Sequence, residues 1–291
     1  MSAAAPSSIA VIGLGLIGGS LGRAAARCGC SVRGFDRSPA EAALHHADFQ
    51  LCDSVAEAVE GVDAAVVATP VLAMREIIHE LRSATVDLAE PPLLTDTAST
   101  KDAVAGFVAE AWGTPPPNWV FSHPLAGSER SGFAASSGDL FRNAPVLISP
   151  TETSSDAAVS AVSGLWSRLG AVPHILDLSR HDSVLALTSH LPHLLAFALM
   201  RAVLREGGAE MLNYSAGGFR DFSRIASSDA DVWADIAVCN AGNISRMLGR
   251  YGEVLEQLRE ALDAGDRESL RALFAEAARA RDAHYDSESA A

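Results

Sequence analysis

Three stretches of this sequence carry side chains whose types and spacing suit proton transfer and anion binding. Ser99 and Lys101 fall in TDTASTK, His123 falls in SHPLAGSE, and each stretch follows a short apolar run of strand character. A histidine at a strand end, with a proline and a glycine fixing the turn after it, suits a general base, because imidazole exchanges a proton near neutral pH. His190 and His193 stand three apart in SHLPH, with Pro192 between them. With no glutamate in the gap this is not the HExxH zinc pattern, and one ring suits a cleft while the other packs. Arg220 and Arg224 are four apart in GGFRDFSRIASSDADVW and share a face if the segment is helical. A guanidinium there suits bidentate carboxylate binding, the competing use being an ion pair with Asp221 or Asp235.

The elements that must hold these groups are legible from periodicity. Residues 8–36 read as strand, glycine turn, alanine-rich helix and second strand closing on Asp36. Gly13-x-Gly15-x-x-Gly18 lies where a dinucleotide loop needs it: Gly13 for the tight turn, Gly15 for close approach of a pyrophosphate, Gly18 for helix-strand packing. Leu16 and Ile17 fill the loop. Asp36, 23 residues after Gly13, is placed to take the ribose hydroxyls. Its charge repels a 2′-phosphate, so NAD is expected over NADP, with the adjacent Arg37 softening that preference.

The run Ala64 to Ala68 is apolar on both faces, as a central parallel strand requires, and it stops at Thr69-Pro70. Val71, Met74, Ile77, Ile78 and Leu81 follow at helical spacing. Further strands close on Asp96 and His123 and cover 144–150 and AVPHIL. Thr69, Pro70 and Asp96 thus end strands at the carboxyl edge and are expected to line the cofactor cleft. After Leu178 the text is helical throughout. The expectation is an α/β Rossmann domain with a mostly parallel, doubly wound sheet over residues 1–175, then an all-α domain over 176–291.

Bulk properties narrow the function. With 291 residues, 48% apolar and 20% charged, the chain has material for two packed units. A net charge of -14 repels nucleic acid and anionic membrane surfaces, so neither is an expected partner, and an acidic substrate must be captured by locally placed basic groups. Cys28, Cys30, Cys52 and Cys239 form neither a disulfide framework nor two metal-ligand pairs, so no metal and a cytoplasmic location are expected. The N-terminus lacks a signal-like pattern, and no run reaches roughly 18 consecutive apolar residues.

Taken together, GLGLIGGSLG, TDTASTK, SHPLAGSERSGF, SHLPH and GGFRDFSRIASSDADVW, in this order over roughly residues 8 to 280, resemble the prephenate and arogenate dehydrogenases of tyrosine biosynthesis. The resemblance implies a Rossmann domain plus an all-helical domain through which two subunits form a homodimer. It implies that His123 accepts the proton of the ring hydroxyl as hydride leaves for NAD, that Ser99 orients that hydroxyl and the histidine, and that Arg224, at the FxRIA position, binds a substrate carboxylate. Of the SHLPH pair, His193 is preferred over His190 for the substrate. The reaction implied is oxidative decarboxylation of prephenate, driven by aromatisation, with arogenate as the alternative substrate. Some relatives carry an additional C-terminal βαββαβ regulatory segment. Here the text stays helical to residue 291, so inhibition by tyrosine would act at the active site.

Two other classes compete. Rossmann-plus-helical dehydrogenases of β-hydroxy acids place a catalytic lysine on the helical domain, whereas the single lysine here, Lys101, lies in the first. A silent NAD-sensing protein would have no use for the set Ser99, His123 and Arg224.

Overall fold

The computed structural model describes residues 5–39, 49–128 and 130–288. Strands β1 (Ser8–Ile12), β2 (Ser31–Phe35), β3 (Gln50–Leu51), β4 (Ala64–Val67) and β5 (Leu93–Asp96) form one sheet in the order β3-β2-β1-β4-β5, every pairing parallel. Helices α1 (Leu16–Arg27), α2 (Val55–Val59), α3 (Met74–Thr85) and α4 (Asp102–Trp112) make the crossovers. The strand order reverses beside β1, so the carboxyl ends of β1 and β4 open a crevice there.

Alternation along the central strands divides the core between the two faces of the sheet. In β1, Ile9 and Val11 join Leu21, Val146 and Trp166 on one face, while Ala10 and Ile12 join Met74, Ile78 and Trp119 on the other. Successive strand residues point to opposite faces, and helices cover both, so every position must be apolar. In α3 the buried set Met74, Ile77, Ile78 and Leu81 follows the helical spacing expected.

A second sheet continues the first. In it β6 (Phe121–Pro124) pairs antiparallel with β7 (Pro145–Ser149), which pairs parallel with β8 (Val172–Ile175); α5 (Asp156–Arg168) links the last two. Leu94 N donates to Asn118 O at 2.8 Å and Val120 N to Leu94 O at 2.9 Å, tying the entrance of β6 to β5.

Beyond β8 lie α6 (Leu178–Leu185), a π-turn at Ala186–His190, α7 (Leu191–Glu206), α8 (Gly217–Ser223), a 3-10 turn at Arg224–Ser227 and α9 (Ala230–Cys239). The chain ends in α10 (Ala241–Asp263) and α11 (Arg267–Glu288). Packing divides it into two compact units, residues 1–241 and 242–291. The second is helical: Gly265, at φ 64°, terminates α10, and the Asp266 carboxylate accepts the Ser269 N–H at 3.0 Å to cap α11.

Leu178–Glu206 runs helical for 29 residues, and its most apolar 18-residue window has a mean hydropathy of 1.5, long and apolar enough to cross a membrane by length and composition only. This stretch also carries His181, Asp182 and His190, each at most 2% exposed and hydrogen-bonded inside the protein, while 28% of its most apolar window is buried.

Candidate active site

The glycine loop is built as its spacing requires. Gly13 has φ 99°, and a Cβ there would lie 2.8 Å from the Ala68 carbonyl. A Cβ on Gly18 would meet the Gly13 oxygen at 1.8 Å, whereas one on Gly15 would project into open space. The loop therefore presses against β4 on one side and leaves room on the other, at the N-terminus of α1, whose first turn has no side-chain cap and no acidic residue. That end of a twelve-residue helix offers unsatisfied N–H groups to an anion.

Asp36 is fixed by backbone: its two oxygens accept from Leu14 N at 2.7 Å and Ser38 N at 2.9 Å. Arg37 turns away from it and donates to Glu76 at 2.6 Å and Glu80 at 2.8 Å, both on α3. The guanidinium that the sequence left as a possible partner for a 2′-phosphate is thus committed to two carboxylates.

A cleft of about 790 Å³ opens at this edge. Gly15, Leu16, Ile17, Thr69 and Pro70 line one part; Ser99, His123, His190, His193 and Arg224 line another. Gly13 and Gly18 shape the turn from behind. The Thr69 hydroxyl is buried with no hydrogen-bond partner, a group that a bound cofactor can satisfy. The open space at Gly15, the uncapped helix end and the Thr69 hydroxyl together fit a dinucleotide.

Asp96 departs from expectation. It is fully buried, does not line the cleft, and accepts from the Lys101 ammonium, from Ala98 N at 3.0 Å and from Ser122 N at 3.4 Å. A charge at 0% exposure needs a counter-charge more than it suits a ligand, and Lys101, also fully buried, supplies it. Asp96 therefore braces the Ser99 loop against β6 rather than holding cofactor. Ser122 extends the brace, its hydroxyl donating to Asp96 O at 2.6 Å and accepting from Trp166 Nε1 at 3.0 Å.

His123, on β6, is 7% exposed, and its Nδ1 lies 3.0 Å from His181 Nε2. His181 Nδ1 lies 2.7 Å from Asp182, whose carboxylate also accepts Lys101 N at 2.7 Å and Asp102 N at 3.0 Å at the start of α4. Burial, then the neighbouring His181, Lys101 and His190, push the His123 pKa well down, so the ring is neutral at pH 7.

His190 and His193 both reach the cleft, by different supports. The Asn240 amide donates to Asp182 O at 2.7 Å and meets His190 Nδ1 at 3.0 Å, leaving His190 Nε2 buried without a partner. Burial lowers the pKa of His190 to about 4. His193 stacks on Trp233 at 3.7 Å, with its Nδ1 2.9 Å from Ser189 O. Arg224 opens the 3-10 turn and lines the cleft; Arg220 sits in α8 and does not.

His181, Asp182, Asn240 and Trp233 escaped the sequence reading. The adjacent His-Asp pair opening a helix just after the last strand was the one available signal for the first two.

Residues 21–175 match the family described as prephenate dehydrogenase, nucleotide-binding domain, and residues 177–276 match its prephenate dehydrogenase, dimerization domain. The chain belongs to the prephenate dehydrogenase family. The nucleotide-binding match begins inside α1, past the glycine loop. Among relatives, the cyclohexadienyl dehydrogenase of Zymomonas mobilis is 34% identical over 284 residues, covering 94% of each chain. The prephenate dehydrogenase of Bacillus subtilis is 31% identical, covering 94% of this chain and 75% of its own length. Of solved structures, the prephenate dehydrogenase from A. aeolicus, in complex with hydroxyphenyl propionate and NAD+, superposes with a TM-score of 0.85 at 28% identity, over 94% and 97% of the two chains. The Synechocystis arogenate dehydrogenase gives 0.79 at 26%, over 95% and 99%.

Proposed function

We propose that this protein catalyses the NAD-dependent oxidative decarboxylation of prephenate to 4-hydroxyphenylpyruvate, a step of tyrosine biosynthesis in the cytoplasm. The observation that carries this reading is His123: a neutral, almost fully buried imidazole facing the same cleft as the glycine loop, with Ser99 and Arg224 beside it.

His123 takes the proton of the C4 hydroxyl, and Ser99 holds that hydroxyl toward it. NAD, when bound along the glycine loop, supplies the acceptor for the hydride that leaves ring C4. The ring carboxylate is then lost as carbon dioxide, and aromatisation drives the step. Arg224 binds a substrate carboxylate as a bidentate fork, and His190 and His193 line the substrate end. Gly13, Gly15, Leu16, Ile17, Gly18, Asp36, Thr69 and Pro70 form the cofactor side. The commitment of Arg37 to Glu76 and Glu80 supports NAD over NADP: the Arg37–Glu76–Glu80 cluster carries one net negative charge, which together with Asp36 repels a 2′-phosphate.

The division of labour places nucleotide binding in residues 1–175 and substrate binding with homodimerisation in 176–291. The helical part exposes Leu204, Tyr214, Val238, Leu262 and Phe274, an amount of apolar surface suited to a second copy of this chain.

His193 favours a second reading, in which arogenate is also accepted. Its Nδ1 donates to the Ser189 carbonyl, and burial keeps the ring neutral, so Nε2 presents a lone pair to the cleft. A lone pair there suits the ammonium of arogenate better than the keto oxygen of prephenate. The test is absorbance at 340 nm with purified protein, prephenate and L-arogenate offered separately, each with NAD and with NADP. Turnover with prephenate and NAD supports the first reading, turnover with both substrates the second, and no reduction with any pair overturns both.

A further inference from the structure

We propose that His181 and Asp182 form a closed proton relay behind His123: His181 sets the tautomer of the base and takes over its charge when the substrate proton arrives. The proposal rests on the reading of His123 as the base. His181 touches neither cleft nor cofactor loop, so it is a positioning residue that acts through His123.

The tautomers follow from the closed end of the chain. Asp182 accepts two backbone N–H groups, from Lys101 and Asp102, in addition to the bond from His181. Burial raises its pKa, but the His181 hydrogen bond and the two amides outweigh that, and the group stays below its ordinary value. Asp182 is therefore an ionised carboxylate, which only accepts. His181 Nδ1 must carry a proton, so its Nε2 carries a lone pair. His123 Nδ1, 3.0 Å away, must then be the donor. That leaves a lone pair on His123 Nε2, and His123 lines the cleft.

The same chain answers a charge problem. A proton accepted at Nε2 would make an imidazolium in a site that is 7% exposed and faces the Lys101 ammonium and the ring of His190. Burial lowers the pKa of His181 as well, but less than that of His123, because the Asp182 carboxylate at 2.7 Å opposes it and the Lys101–Asp96 charges cancel. As the substrate O–H bond breaks and an N–H bond forms at His123 Nε2, the N–H bond at His123 Nδ1 breaks and one forms at His181 Nε2. His123 is again neutral, the cation sits on His181 against the Asp182 carboxylate, and no electrons change hands. His181 is fully buried and the Asp182 oxygens are tied to backbone, so the relay has no exit to solvent. The proton is stored during turnover and returns through His123 to the cleft once product has left.

His181→Gln separates this from a purely structural role. A glutamine oxygen still accepts from His123 Nδ1, but it cannot carry the proton. The full-length enzyme is assayed with prephenate and NAD from pH 5 to 9, alongside NADH binding by fluorescence. The expected result is a fall in kcat of about a hundredfold, with KM and NADH affinity changed less than threefold and the acid limb of the kcat profile moved to lower pH. The limb moves down because the remaining base lacks the carboxylate that helps it hold a proton. Asp182→Asn, which keeps one oxygen for the Lys101 amide, is expected to move the limb the same way. A kcat within threefold of wild type with the acid limb in place overturns the relay. So does a loss of turnover accompanied by lost NADH binding in His181→Gln but not in a correctly folded Asp182→Asn of wild-type profile. His123→Asn separates the two claims: wild-type turnover there removes the base and the relay together, whereas a hundredfold loss with an unaffected His181→Gln removes the relay alone.

Discussion

The two sides of the cleft are built on opposite principles. The His123 side is buried and braced: Asp96, Lys101, Ser122, His181 and Asp182 are each 2% exposed or less, and they bond to one another or to the backbone that carries Ser99. The Arg224 side is a short helix and a 3-10 turn with no buried residue in either. The contrast matches two different demands. A base has to keep one tautomer and one position, which needs low-dielectric surroundings and fixed partners. A carboxylate anchor has to admit and release a charged molecule, which needs water access and tolerates movement. Perturbing the braced side should therefore cost stability and chemistry, and perturbing the open side should cost affinity.

The sharpest break is Lys101→Met. It leaves the Asp96 carboxylate buried without its counter-charge, and stability in urea is expected to fall by about 3–5 kcal/mol. A loss under 1 kcal/mol would show that the braced side does not depend on this pair.

Acid acts on the same side next. His190 titrates near 4 in the fold against 6.5 ordinarily, so between those values the unfolded chain binds a proton that the native state refuses. Stability is expected to decline as pH drops through 6.5 toward 4, by about 3 kcal/mol for this group alone. His190→Asn, which removes the titrating ring, should flatten that part of the pH-stability curve; an unchanged curve assigns the slope to other groups.

On the open side, Arg224→Lys keeps the charge and loses the fork. The KM for prephenate is expected to rise about tenfold, with kcat within threefold and the melting temperature unchanged. An equal fall in kcat would move Arg224 from anchoring into the chemistry.

The smallest effect concerns the cofactor. Exposed ion pairs such as those of Arg37 are weak, so Glu76→Gln combined with Glu80→Gln should improve kcat/KM for NADP only a few-fold and leave NAD unaffected. Adding Arg37→Ala should abolish the gain; a gain that persists would come from the removed carboxylates alone.

The glycine loop, Asp36, the alternation of strands with helices, and the strand-end positions of Ser99 and His123 were legible because each rests on local spacing; spacing left Arg220 and Arg224 equivalent, and only the family resemblance chose Arg224. A tight turn needs glycine wherever it occurs, and strand ends fall on one edge of a parallel sheet by topology. The buried network was not legible. A period of 3.6 residues sets His181 and His190 roughly 180° apart on their helix. The π-turn at Ala186–His190 changes that phase, and both residues pack toward the same site. Asp96 illustrates the limit from the other direction: its place at a strand end suited a cofactor ligand, and only the arrival of Lys101 five residues later, folded back beneath it, made it a brace.

By itself, then, the sequence determined which residue types stand at the ends of which elements, and through them the dinucleotide fold and the family. The tertiary structure decided which of those groups face water and which face each other. That choice turns on burial and on pairs such as Lys101 with Asp182, 81 positions apart, whose contact no local periodicity encodes. Under the proposed relay it also selects which nitrogen of His123 carries the lone pair, because a buried hydrogen bond has to be satisfied by whatever the fold brings within about 3 Å.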